Sequence, residues 1–206
     1  MCSTRLECSS YVIYSRICDV KLTTIQNFWG VYFAFFFLGA FARDIIGVSY
    51  AESINLIIVL NGVGILGRVI PNHVADRFLG PLNTLIPFVI STALLALSWM
   101  GVTTTKGLYA WAVIYGFVGA AIQSLFPAVL SSLTTDLRMA GTRMGMTFSV
   151  VSFAVLTGPP ICGQLIEAKN GQYQYAQMFS GCSMVVGFCM LNAAKFTKNK
   201  KIMSRV

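Results

Sequence analysis

The sequence predicts an all-α integral membrane fold of six transmembrane helices, and three observations carry the prediction. Of its 206 residues 56% are hydrophobic and only 11% charged, with a mean hydropathy of +0.71. A soluble domain of this length needs roughly a quarter of its residues charged to coat its surface. The apolar residues fall into six runs, each near the ~20 residues that cross the hydrocarbon core. The breaks between runs hold the turn-forming, polar and basic residues.

In chain order the runs are 25–43, 53–71, 81–101, 107–132, 143–166 and 175–196. The first contains Phe33-Ala34-Phe35-Phe36-Phe37-Leu38, which could be a buried strand in isolation, but its neighbours carry the stretch past strand length. In lipid each backbone amide must be satisfied within its own segment, so all six are helices. The breaks are Arg43-Asp44, a short loop opening at Pro71-Asn72-His73, Thr103-Thr104-Thr105-Lys106, Asp136 to Arg143, and Glu167 to Asn170. Residues 1–24 read as a cytosolic N-terminal segment without a signal peptide, because Arg16 and Asp19 interrupt a short apolar run. Residues 25–196 form the six-helix unit, and 197–206 form a basic cytosolic tail.

Placing both termini in the cytosol puts twelve of the fifteen basic residues on that side and leaves Arg43, Lys106 and Lys169 on the other. Such a bias follows the positive-inside rule and would collapse with one span missed. The net charge of +8 is therefore a topology signal. It is not a nucleic-acid footprint, because the basic residues form no stripe interleaved with exposed aromatics. The six cysteines have no metal-ligand spacing and read as small hydrophobes or free thiols.

Asn61-Gly62-Val63-Gly64-Ile65-Leu66-Gly67 in the second run and Thr157-Gly158-Pro159-Pro160-Ile161-Cys162-Gly163 in the fifth lie three spans apart. Gly- and Pro-interrupted segments at matching places of two three-helix units are the pattern of inverted-repeat transporters. Frequent Gly and Pro in membrane helices is the plainer explanation.

Ionisable and polar groups inside spans are candidate sites by default. Arg68, about one turn from the end of the second run, shares a helix face with Gly64 and Asn61. That face suits a water-filled cavity or an anionic partner; snorkelling of Arg68 to the headgroups is the bland alternative. The fourth run carries Gly116, Gly119, Ala120 and Gln123 at i, i+3, i+4 and i+7. Helix packing explains the small residues, and Gln123 asks for a cavity or an interface. Tyr32, with Trp29, Phe33 and Phe36, fits a cavity wall or lipid-facing bulk equally well. Arg43-Asp44 reads as an interfacial anchor or a gate contact. An enzyme is disfavoured: His73 sits alone in its loop, the carboxylates are scattered, and no catalytic, cofactor or metal motif occurs.

The stretch Asn72-His73-Val74-Ala75-Asp76-Arg77-Phe78-Leu79-Gly80 resembles the short cytosolic loop motif of the major facilitator superfamily, whose core is Ala-Asp-Arg followed closely by Gly. The run Phe41 to Gly47, the Asn61-to-Arg68 stripe and Gly158-Pro159-Pro160-Ile161-Cys162-Gly163-Gln164-Leu165 look like fungal members of its monocarboxylate-porter group. The resemblance covers about residues 25–196. It implies the C-terminal half of a twelve-helix fold, a 3+3 inverted repeat that works by alternating access with a second six-helix half.

On that resemblance Arg68 matches an arginine that engages the substrate carboxylate. Asp76 and Arg77 match the loop charges that latch one conformation. Gly64 stands where mammalian-type porters carry an Asp, Asn72 replaces the motif's opening Gly, and Pro81-Leu82 replaces its basic pair. The implied function is transport of a small, monocarboxylate-like organic anion, with Arg68, Asn61, Gln123 and Tyr32 binding it and Asp76, Arg77, Arg43 and Asp44 gating. A truncated, non-transporting membrane protein that dimerises or binds a full-length relative is the alternative. On either reading the faces of helices one, two, four and five, with their Gly stripes, Asn61, Arg68 and Gln123, await the partner half.

Overall fold

The computed structural model describes residues 25–132, 138 and 140–196, in which every regular element is helical. The expected N-terminal segment 1–24 and basic tail 197–206 lie outside the described residues, as do Asp136, Leu137 and Met139 of the fourth break. Six helices follow in order: α1 (Ile25–Ile46), α2 (Tyr50–Leu79), α3 (Pro81–Gly101), α4 (Thr105–Ser132), α5 (Ala140–Glu167) and α6 (Gln174–Phe196). The first five are long and apolar enough to cross a membrane. The 23 residues of α6 make a helix of ~34 Å.

Local chemistry sets the helix ends. The π turn Ala42–Ile46 finishes α1, and Gly47 follows it at φ 77°, a left-handed conformation that residues with a Cβ adopt reluctantly. A capping box opens α2: Ser49 Oγ accepts from the Glu52 N–H, and the Glu52 carboxylate accepts from the Ser49 N–H. A second π turn, Ala75–Leu79, closes α2 at Gly80 (φ 80°), and Pro81 starts α3 where no amide donor is needed.

These ends correct the expected breaks. The second helix does not stop at Pro71: it runs on as α-helix to Val74, and the Ala75–Leu79 turn carries it further. His73, Asp76 and Arg77 are therefore helical residues and not members of an open loop. The helix continues through Pro71 as α3, α4 and α5 continue through Pro87, Pro127, Pro159 and Pro160. Prolines are tolerated in membrane helices because neighbouring groups and local adjustments re-satisfy the freed backbone carbonyl. Arg43 and Asp44 likewise lie inside the final turn of α1.

Packing centres on α1. Tyr115 of α4 donates to the carbonyls of Gly30 (3.3 Å) and Val31 (3.4 Å), and Ser180 of α6 donates to Gly30 O at 3.1 Å. Trp29 Nε1 donates to Thr157 Oγ1 of α5 at 3.0 Å. An aromatic ladder ties α1, α3 and α4 together, running from Phe41 through Trp99 and Trp111 to Tyr115 with centroid spacings of 5.2, 4.6 and 4.5 Å. Trp111 Nε1 also donates to Leu95 O at 2.8 Å.

Glycines let the backbones meet elsewhere. A Cβ on Gly67 would fall on the Phe117 backbone, one on Gly116 on the Leu60 backbone, and one on Gly181 on the Leu97 side chain. These contacts bring α2 onto α4 and α6 onto α3. Close approach through small residues is how helices associate where lipid supplies no hydrophobic drive. The glycines of α5 meet α1: Gly158 faces Trp29 and Gly163 faces Phe37. Apolar side chains of α2 (Ile58, Ile65, Leu66, Val69) and α5 (Phe153, Leu156) stay exposed.

Candidate functional site

Arg68 is the charged residue placed deepest along its helix. As a 30-residue segment α2 is about 45 Å long, and Arg68 lies only ~5 Å past its middle. The sequence put it one turn from the end. With the helix continued to Leu79, the remaining eleven residues separate it from that end by ~16 Å.

Two successive residues of α4 hold Arg68. Its Nη2 donates to Gln123 Oε1 at 3.3 Å, and Ser124 Oγ donates to the Arg68 backbone carbonyl at 3.4 Å. Arginine has donors only, so the Gln123 amide must turn its oxygen inward. Among the described residues Arg68 has no carboxylate partner. One turn earlier on α2, a Cβ on Gly64 would stand 3.3 Å from the Ala120 Cβ and 3.5 Å from Gly116 O, a close fit that the neighbouring helix would have to ease by a few tenths of an ångström. The guanidinium thus keeps a full positive charge opposite a neutral acceptor.

The other expected binding residues are placed less tightly. Tyr32 is half-buried in an aromatic group with Phe28 at 5.8 Å, Phe36 at 6.1 Å and Phe35 at 6.3 Å. Phe28 packs on Phe126 of α4 at 5.5 Å, and Phe35 reaches toward Gly119. These two contacts run antiparallel along α1 and α4 and set Tyr32 level with Ile122 and Gln123. Asn61 is not brought to this group. It is exposed, two turns from Arg68, and its amide donates to Ile57 O of its own helix at 2.9 Å.

The expectation that the Gly stripes of α2 and α4 await a partner half is wrong. Gly64, Gly67, Gly116 and Ala120 are buried against one another within this chain. Small residues at helical spacing announce a close contact, but not with whom.

Of the expected gating residues, Asp76 and Arg77 are exposed at the end of α2, where the Arg77 guanidinium lies 5.9 Å from the centre of the Phe78 ring. At the opposite end of that helix Asp44 accepts a hydrogen bond from Tyr173 at 2.6 Å, while Arg43 lies over the Tyr50 ring at 5.5 Å. The neighbouring charges thus serve different partners, as adjacent helical positions must. Burial pushes the Tyr173 hydroxyl pKa well above the usual tyrosine value, and the hydrogen bond to Asp44 pushes the same way. Sequence reasoning missed Ser124, Thr157 and Tyr173, because each works through a residue far away in the chain.

Long apolar helices packed around a buried aromatic and glycine core define a multi-pass α-helical membrane protein, with an arginine near the middle of one of its helices. No family model matches the chain. It is 48% identical over 176 residues to an MFS-type transporter of Gibberella zeae, covering 84% of this chain and 40% of that protein. It is 32% identical to the aspyridones efflux protein apdF of Emericella nidulans, covering 81% of this chain and 34% of the relative. It is also 32% identical to the MFS-type transporter AFUA_1G00970 of Aspergillus fumigatus, covering 85% and 39%. The chain spans well under half the length of the curated relatives it matches. These relatives support the major facilitator superfamily as the family of this chain.

Proposed function

We propose that this chain is one six-helix half of a secondary transporter that carries a small, monocarboxylate-like organic anion by alternating access. The observation that carries the reading is Arg68, a guanidinium near the middle of α2 held by α4, with only a neutral acceptor among the described residues. A charge within hydrocarbon is costly unless a cavity or a partner compensates it, and a carboxylate matches the guanidinium fork. Gln123 and Tyr32 line the same level of the bundle, while Asn61 extends the polar face toward the start of α2. Asp76, Arg77, Arg43 and Asp44, at the two ends of the helices, act as gates.

Internal correspondences favour a 3+3 inverted repeat. The Gly segment of α2 packs on α4, and the Gly-Pro-Pro segment of α5 packs on α1, two pairs related by a shift of three helices (α2 to α5, α1 to α4). The apolar side chains left exposed on α2 and α5 are suited to lipid and to a second six-helix half, either another chain or a second copy. The basic residues favour both termini on the cytosolic side. The share of the relatives that the chain covers fits a half-length unit, which equally suits a second reading: a non-transporting membrane protein that dimerises or binds a full-length relative.

The test is uptake of a labelled monocarboxylate by cells expressing the chain together with a complementary half. Arg68→Ala abolishes uptake while leaving membrane insertion intact. Unchanged uptake in that variant would remove Arg68 from the site. No uptake by the unmodified chain in any pairing would favour the non-transporting reading.

A further inference from the structure

We infer that Gln123 is an internal competitor of the anion, a neutral clamp that occupies Arg68 in the empty site and is displaced when a carboxylate binds. The inference rests on the proposed role of Arg68 and adds a specificity-determining residue to it.

The clamp is weak by its own geometry. Charge-assisted N–H···O contacts to carboxylates run about 2.7–2.9 Å, whereas Arg68 Nη2 reaches Gln123 Oε1 at 3.3 Å, through one contact to an uncharged oxygen. A carboxylate offers two charged oxygens to the same fork. The seating of Arg68 does not rest on that contact alone, because the Ser124 hydroxyl, shared with Ala121 O at 3.1 Å, also reaches its backbone carbonyl at 3.4 Å. The guanidinium can therefore exchange acceptors without α2 moving off α4, whose seam is closed by Gly67 against Phe117 and by Gly116 against Leu60.

A neutral clamp also has a function that a carboxylate would not serve. An Asp or Glu at this place would neutralise Arg68 and compete with the substrate at full strength. A purely apolar residue would leave a guanidinium without an acceptor at mid-span, which is expensive. Gln123 satisfies the donor in the empty state and yields to an anion. Gly64, one turn from Arg68 and packed against Ala120, supplies no competing side chain from α2.

The experiment is saturation binding of labelled benzoate, a simple monocarboxylate, to the full 206-residue chain in lipid nanodiscs. Gln123→Leu removes the competitor and tightens benzoate binding by up to about tenfold, the worth of one hydrogen bond to a charged group. Gln123→Glu keeps size and polarity but forms an internal ion pair, and weakens binding by a comparable factor. Arg68→Gln abolishes saturable binding. Thermal unfolding of each variant identifies loss of fold, and the Glu variant tests the idea if the Leu variant does not fold.

Opposite signs for the Leu and Glu variants support the clamp. Weaker binding in Gln123→Leu would make Gln123 a ligand contact and overturn it, as would unchanged affinity in both variants. Binding that survives in Arg68→Gln, or that no form shows, defeats the site reading itself.

Discussion

Arg68 and Gln123, 55 positions apart in sequence, meet through a single 3.3 Å hydrogen bond where α2 and α4 run side by side. Around them the two helices are held by contacts that tolerate no side chain, so the polar pair sits on a rigid seam. That rigidity makes substitutions here informative, because the backbone has little freedom to compensate.

Arg68→Lys keeps the charge and loses the planar fork. A lysine cannot engage a carboxylate through two parallel hydrogen bonds. Uptake of a labelled monocarboxylate falls by about tenfold, equivalent to one charge-assisted hydrogen bond. Full retention of uptake would show that the site reads charge alone.

Gly67→Val and Gly116→Val each drive a side chain into the backbone of the facing helix. Overpacking of this kind costs about 1–3 kcal/mol when side chains can shift, and more against backbone. Both variants lower the thermal unfolding temperature in detergent. Gly62→Ala, where an added Cβ meets nothing within 4 Å, leaves it unchanged.

Trp29 and Thr157 couple α1 to the Gly-Pro-Pro segment of α5 through their 3.0 Å hydrogen bond. A double-mutant cycle with Trp29→Phe and Thr157→Val yields a coupling energy of ~0.6 kcal/mol, the usual size for polar contacts between membrane helices. A value of zero would assign the α1–α5 contact to the Gly158 packing alone.

Tyr173→Phe removes the bond to Asp44 and lowers stability by about 1 kcal/mol, a charge-assisted bond discounted for the exposure of Asp44. The folded-state pKa of Tyr173 is raised, so its contribution is whole below the ordinary tyrosine value near 10 and is lost as pH climbs through the raised value. The unfolding temperatures of wild type and variant therefore differ by a constant amount up to about pH 10 and converge above it. Convergence near neutral pH would contradict the assignment.

Much of this architecture is legible in residue order. Hydropathy located all six helices, but the first two breaks, expected at Arg43-Asp44 and Pro71-Asn72-His73, fall later, at Gly47 and Gly80. Pro71 misled, because a proline reads as a terminator, whereas membrane helices run through prolines when their surroundings satisfy the freed carbonyl. The same extension of α2 moved Arg68 from one turn before a helix end to near the middle of the helix. The glycine stripes were visible as close-contact signals, but their partner was not, since nothing in a periodicity says whether the facing helix belongs to the same chain.

The sequence by itself determined that this is a helical membrane protein and which side chains are costly to place in lipid. Both follow from free energies summed along a single segment: the transfer of apolar residues and the need to satisfy each backbone amide locally. Only the tertiary structure decided that Gln123 faces Arg68, that Gly64 packs closely on Ala120, and that Asn61 stands apart. Those outcomes depend on where two helices cross, which is set by steric fit between residues more than fifty positions apart.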